Sequence, residues 1–368
     1  MRADGTIDGI HPPSSEFPFH KAIYSVRPDI RGIVHAHSVA LVAFSICGRV
    51  PNTRLFHRAN QVCGETGFAP YALPGSAALA QSIITAFNQG FFAVILENHG
   101  VVVGGADLQN AFQRFETLEF TSKTIIKAST LGPVRYLTDE QIALSRRPSL
   151  PWPQGEMPPP SSHEKELRRQ LCNFLHRGYR NRLLISTEGS FSARVDPNSF
   201  LITPHILDRH TAELTDLVLV RDGLVEPGKT PSRAARLHEA IYARHPEVAA
   251  VINAYTVNAT AFSVVDAELS ARTIPESFIL LRDVQRIPFG LQFGDGLEAT
   301  ARISMEQPVA LMENDGVLVC GTSVLDAFDR LEVLESTAET VINGRLIGHP
   351  VAMSEGVIHE LENAFLKK

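Results

Sequence analysis

Along this chain short apolar runs alternate with longer amphipathic stretches. Ser14-Ser15-Glu16, with Pro18 just inside, predicts a helix start, and that helix stops before Pro28. Residues 31–38 predict a strand and Val39 to Cys47 a short apolar helix. Phe91 to Leu96 is short enough for a buried strand, and Val101-Val102-Val103 for another. Leu108, Phe112, Phe115 and Leu118 then recur at helical spacing. Strands alternating with helices in this way predict a layered α/β fold.

The pattern occurs twice. Phe19-His20-Lys21-Ala22-Ile23-Tyr24 matches Leu237-His238-Glu239-Ala240-Ile241-Tyr242 at an offset of 218. The match continues through Pro28/Pro246, Ala43/Ala261, Phe44/Phe262 and Pro70/Pro288, then resumes at 216 with Glu97-Asn98/Glu313-Asn314, Gly100/Gly316 and Ala111-Phe112/Ala327-Phe328. So many aligned identities mean a duplication. Between the copies, the run from Arg146 to Ser162 holds Pro148, Pro151, Pro153 and Pro158-Pro159-Pro160 and predicts a linker. The expected domains are therefore 1–145, a linker at 146–163, and 164–368. The second copy opens with an extra portion, Glu164 to Leu219, with a helix and two strands at Leu183–Ile185 and Phe200–Thr203. Asp4-Gly5 aligns with Asp222-Gly223, so the first copy is expected to begin partway through a domain, from a truncated start or a true loss.

Composition narrows the class. The 368 residues are 44% apolar and 20% charged, with a net charge of −6, which gives no basic footprint for nucleic acid. No run approaches the ~18 apolar residues of a membrane span, and the start has no signal-peptide core. Cys47, Cys63, Cys172 and Cys320 show no CxxC pairing and predict buried free thiols in a cytoplasmic protein.

The chemistry concentrates in the first copy. His35 and His37 lie two apart on a predicted strand and so share a face. His99 sits where another strand gives way to a turn. Three neutral imidazoles with one open position make a catalytic metal site, whereas HxH alone more often means two half-buried strand histidines. The second copy separates these readings: it has Asn253, Tyr255 and Asp315 at the matched positions, all changed as a set. Glu16 behaves likewise, being replaced by Ala234 although Ser14/Ser232 and His20/His238 are kept. A carboxylate beside a divalent cation is equipped to take a proton next to a coordinated carbonyl. His20 and His238 occur in both copies and predict packing; His57 lies in a polar stretch.

Ser14-Ser15-Glu16, His20, Tyr24, Arg27-Pro28-Asp29, His35-Ala36-His37-Ser38, Pro74-Gly75-Ser76 and Asn98-His99-Gly100 together resemble the class II aldolase/adducin family over about residues 4–130. Residues 164–345 resemble a degenerate second member. There Glu188-Gly189-Ser190-Phe191-Ser192 and Ile202-Thr203-Pro204-His205 stand, altered, where the family has phosphate-binding loops. The resemblance implies two tandem three-layer α/β/α domains with mixed, mostly antiparallel sheets. It also implies Zn2+ or another divalent transition metal on His35, His37 and His99, with Glu16 as acid/base. The implied function is a metal-dependent lyase: retro-aldol cleavage through a stabilised enediolate on a small hydroxy-carbonyl or sugar-derived substrate. Decarboxylation or dehydration is the alternative within the family, and an adducin-like interaction scaffold the alternative outside catalysis. Family enzymes are C4-like tetramers, so a tandem chain is expected as a homo-oligomer, a pseudo-tetrameric dimer or larger. The altered loops put a phosphorylated substrate in doubt.

Overall fold

The computed structural model describes residues 2, 6–149 and 151–366; Asp4 and Gly5, which align with Asp222 and Gly223, lie outside them. The chain divides into two compact units, Met1–Lys123 and Thr124–Lys368.

In the first unit the order is α1 (Phe17–Val26), β1 (Gly32–Ala36), α2 (Val39–Ile46), α3 (His57–Cys63), β2 (Thr66–Ala69), α4 (Ala77–Asn88), β3 (Ala93–Leu96), β4 (Gly100–Gly105) and α5 (Leu108–Ser129), whose last turns belong to the second unit. The sheet runs β1-β4-β3-β2, parallel only between β2 and β3. Every residue of β3 and β4 is buried, because successive side chains feed opposite faces. Val94 and Val102 pack with Phe19, Ile23, Ile83 and Phe87 of α1 and α4. Ile95, Val101 and Val103 pack with Leu41, Cys63 and Leu118 of α2, α3 and α5. Helices on both faces of one sheet give the three-layer α/β/α arrangement expected.

The second unit continues with α6 (Asp139–Ser145), α7 (Ser162–Arg180), β5 (Ser190–Asp196), β6 (Ser199–Ile202), β7 (Val218–Arg221), β8 (Leu224–Val225), α8 (Ala235–Arg244), β9 (Ala250–Ala254), α9 (Val257–Ser263), α10 (Pro275–Leu281), β10 (Gln285–Ile287), β11 (Val309–Met312), β12 (Val317–Gly321), α11 (Val324–Ile347) and α12 (Glu355–Leu361). Its sheet, β10-β11-β12-β9-β5-β6-β7-β8, is parallel only between β10 and β11. Strands β10, β11, β12 and β9 repeat β2, β3, β4 and β1, and β5–β8 extend the sheet beyond β9. Among the described residues β1, the counterpart of β9, is an edge strand.

Three local expectations change. Leu183–Ile185 is not a strand; the strand is β5, whose Ser190-Phe191-Ser192 start has the mixed polarity of a loop yet pairs with β9 and is buried. The proline-rich stretch packs on the second unit: Gly155 N–H donates to Val225 C=O at 3.1 Å, Val225 N–H donates to Pro153 C=O at 3.0 Å, and the Arg236 guanidinium lies 3.4 Å from the Trp152 ring centroid. The segment after α5 also bonds within the second unit, Arg135 N–H donating to the Val264 carbonyl at 2.8 Å. All four cysteines are free, but Cys47 is exposed where a buried thiol was expected, because it follows the last turn of α2. No helix among the described residues is long and apolar enough to cross a membrane.

Candidate metal centre

Two close approaches bring the three histidines together. His35 lies in β1 and His37 just beyond its end; His99 sits in the turn between β3 and β4. That turn needs Asn98 in the left-handed region (φ 52°), which asparagine tolerates better than most residues. It also needs Gly100: a Cβ there would stand 2.6 Å from the Ala36 carbonyl oxygen and 2.7 Å from Cδ2 of His37. The ring centroids are 4.9 Å (His35–His37), 5.1 Å (His35–His99) and 4.9 Å (His37–His99) apart, nearly an equilateral triangle. One ligand nitrogen from each lies within 4.8 Å of the others.

The hydrogen-bond pattern tests whether a cation fits. Nδ1 of His35 lies 3.0 Å from the Val101 carbonyl, which can only accept, so the proton sits on Nδ1 and Nε2 presents a lone pair. That lone pair faces Nε2 of His37 at 3.1 Å and Oε2 of Glu16 at 2.7 Å. Oε2 is buried and accepts no hydrogen bond, and Oε1 lies 3.4 Å from Nε2 of His99. Acceptors thus converge with too few donors among them, an arrangement that a divalent ion relieves. Burial lowers the pKa of His35 and of His99 despite the opposing pull of Glu16, which keeps both neutral, as ligands must be. Zinc or another divalent transition ion suits an all-imidazole set. Glu16 itself is the N-cap of α1, one residue ahead of the first turn.

Two supporting residues escaped sequence reasoning. The Ser45 hydroxyl in α2 donates to the Leu96 carbonyl at 2.5 Å and accepts the His99 N–H at 3.0 Å, holding both ends of the His99 turn. Glu119 in α5 accepts from the Ser38 hydroxyl at 2.7 Å and the Leu41 N–H at 3.2 Å, fixing the chain just after His37. The signal that could have found them is that both are kept in the second copy, as Ser263 and Glu335. His20 stacks on Phe19, with centroids 4.7 Å apart, and His57 is buried in α3.

The matched positions of the second unit are closed by hydrogen bonds. Tyr255 O–H donates to Asp315, which also accepts from Gln292 Nε2 at 3.2 Å. Asn253 Oδ1 accepts from Nε2 of His238 at 2.5 Å, while its amide nitrogen points at the Met312 sulfur at 3.4 Å. Nδ1 of His238 then accepts from Ser192, and Ser192 from the Tyr242 hydroxyl, both at 2.7 Å. Ser190 bonds to Ser232. The serines that stand where a phosphate loop was expected are therefore buried and engaged.

The family described as Class II Aldolase and Adducin N-terminal domain matches residues 1–126 and again 169–342. The 3-oxo-tetronate 4-phosphate decarboxylase of Haemophilus influenzae is 35% identical over 144 residues, 38% of this chain and 67% of that protein. The Escherichia coli K12 protein of that name is 36% identical over 151 residues, 39% of this chain and 68% of its own length. The L-fuculose phosphate aldolase of E. coli K12 is 31% identical over 135 residues, covering 36% of this chain and 61% of that protein. The crystal structure of YgbL from Klebsiella pneumoniae shares the fold, with a TM-score of 0.50 and 21% identity over 54% of this chain and 98% of that one. With both segments matched, the chain belongs to the class II aldolase and adducin N-terminal domain family, in two tandem copies.

Proposed function

We propose that the first unit is a metal-dependent carbon–carbon lyase and that the second is its non-catalytic sister. The observation that carries this reading is the convergence of His35, His37, His99 and Glu16 in one unit and the replacement of all four as a set in the other. His35, His37 and His99 would hold the ion, which supplies Lewis acidity to a substrate carbonyl and its neighbouring oxygen. Glu16, with both oxygens turned to the imidazoles, takes or returns the proton at the adjoining carbon or hydroxyl. The Val101 carbonyl holds the His35 tautomer, and Ser45 holds the turn that presents His99. The substrate class is a small hydroxy- or oxo-carbonyl compound, and retro-aldol cleavage is the first reading. Decarboxylation of a 3-oxo acid is the second, favoured by the decarboxylase relatives. The active form is a homo-oligomer in the cytoplasm.

Elemental mass spectrometry of the purified protein is the first test. About one transition ion per chain supports the assignment. Two would mean that the second unit also binds metal, and none after incubation with excess zinc would favour a scaffold role. With the metal loaded, an aldehyde product marks aldol cleavage and CO2 marks decarboxylation.

A further inference from the structure

The proline-rich stretch carries a motif that the fold does not explain. The chain has two adjacent arginine pairs, Arg146-Arg147 and Arg168-Arg169, and only the first is followed by Pro148-Ser149-Leu150. Two arginines at −3 and −2 from a serine, with an apolar residue after it, fit the substrate groove of an arginine-directed serine kinase. Such a groove pairs both guanidiniums with carboxylates and takes its peptide extended. The structure offers the motif in that form. Helix α6 ends at Ser145, and Arg146, Arg147, Pro148 and Ser149 are all exposed, outside any helix or strand. Pro148 and Pro151 keep the stretch from turning helical. The other pair is not offered in this way, since Arg168 is buried in α7 against Glu164 and Glu226.

The surface beneath the serine gives a phosphate somewhere to go. Two arginines at the start of α8 pin the stretch on either side of Ser149. The Arg233 guanidinium donates to the Ser145 carbonyl at 2.8 Å, and that of Arg236 reaches the Pro151 carbonyl at 3.4 Å. Ser149 is four residues from the first anchor and two from the second, so its Cα lies within about 14 Å and about 7 Å of theirs. Neither contact satisfies its arginine. Arg233 forms no ion pair among the described residues; Arg236 forms one, with Glu239 at 2.9 Å, and its Nε is buried without a hydrogen bond. Helix α8 has no acidic residue in its first turn and no side-chain cap at Ala234, which leaves its positive end uncompensated. The stretch adds Arg146 and Arg147 and holds no acid before Glu156. In the first copy Ser15 and Pro18 stand at the positions of Arg233 and Arg236, so these cations belong to the face on which the stretch lies.

We propose that Ser149 is a phosphorylation site and that its phosphate clamps the proline-rich stretch onto Arg233 and Arg236. The modifying enzyme is a serine kinase with an acidic subsite, and the donor is a nucleoside triphosphate. A bond forms from Ser149 Oγ to the γ-phosphorus as the bond from that phosphorus to the bridging oxygen breaks. The nucleoside diphosphate leaves, and the hydroxyl proton passes to the kinase's base. The product carries about −1.5 to −2 charge at neutral pH. It meets guanidiniums already held beside the stretch, so two carbonyl contacts are joined by charge-assisted ones. The site uses no residue of the metal centre and stands whether or not the first unit binds an ion.

The purified chain is incubated with an arginine-directed serine kinase, magnesium and ATP, and the product is mapped by peptide mass spectrometry. One phosphoryl group on Ser149 is expected. Ser149→Ala, at an exposed position, should keep the fold and take up none there. Arg146→Gln together with Arg147→Gln should slow the addition about tenfold or more. Hydrogen exchange then reads the clamp, at the two amides that bond across the stretch, Gly155 to the Val225 carbonyl and Val225 to the Pro153 carbonyl. Their exchange should slow about tenfold or more on phosphorylation, because it follows the population of the opened stretch. Arg233→Gln lies outside the motif, so it should still accept the phosphoryl group but lose most of that slowing. A folded chain left unmodified at Ser149, or modified as fast without the two arginines, overturns the site. Exchange that is unchanged by phosphorylation, or slowed equally in Arg233→Gln, overturns the clamp.

Discussion

His99 and Asp315 occupy the same turn of the same fold, each after an asparagine in the left-handed region, φ 52° and 46°. In the first unit the turn faces two imidazoles and a carboxylate whose buried Oε2 accepts no hydrogen bond. In the second it faces a tyrosine hydroxyl, and the acceptor is met. Buried polar groups left without partners can take up something that completes them; groups that pair internally leave nothing to complete. His20 and His238 show the same contrast. One stacks on Phe19 at a half-open position; the other is fully enclosed, its two nitrogens fixed by Ser192 and Asn253.

The strongest break in this comparison is to remove one ligand from each unit. His37→Ala should abolish turnover, by about a thousandfold or more, and remove the bound ion while leaving circular dichroism intact. Asp315→Ala should leave turnover nearly unchanged. Equal losses would sink the assignment of one active and one silent unit. Next in size, Glu16→Gln should keep the metal and lower kcat by about 10²–10⁴-fold. If the metal is lost as well, Glu16 is a ligand and not the base.

The third prediction concerns stability. Burial pushes the pKa of His238 down to about 4 from its ordinary value of 6.5. The unfolded chain therefore binds a proton that the folded chain refuses. Stability from this residue is intact above pH 6.5, falls as the pH drops, and is fully lost below about 4, a change of roughly 3 kcal/mol. Denaturant unfolding between pH 7 and 4 should show this slope, and a variant with a neutral residue at 238 should flatten it. An unchanged slope would mean that other groups dominate. The smallest effect expected is that of Ser45→Ala, which leaves the His99 N–H and the Leu96 carbonyl without their bridge. It should cost about 1 kcal/mol and weaken metal affinity about 10-fold or more. The matching Ser263→Ala should leave metal affinity unchanged, since the Ser263 hydroxyl only returns to the Thr260 carbonyl of its own helix.

Much of this architecture was written in apolar periodicity. The runs at 91–96 and 101–103 hold the buried central strands, because short β-branched runs fill both faces of a covered sheet. β5 was missed because its serines look like loop residues until β9, His238 and Tyr242 supply their partners. The proline-rich stretch looked free because proline signals the absence of helix, not of contacts; Trp152 and Pro153 found theirs on Arg236 and Val225. The clearest single clue to the site was the second copy itself, a built-in control that changed the three histidines and Glu16 together.

By itself the sequence determined the duplication, the alternation of strands and helices and the identity of the four candidate site residues, all properties of local pattern and of the chain compared with itself. Only the tertiary structure decided that Nε2 of His35 has no proton to offer Glu16. It alone revealed that Ser45 holds the His99 turn and that the segment after α5 is bonded to the end of α9 through Arg135. Those facts depend on which distant groups meet, and a hydrogen bond between residues fifty positions apart leaves no trace in the spacing of either.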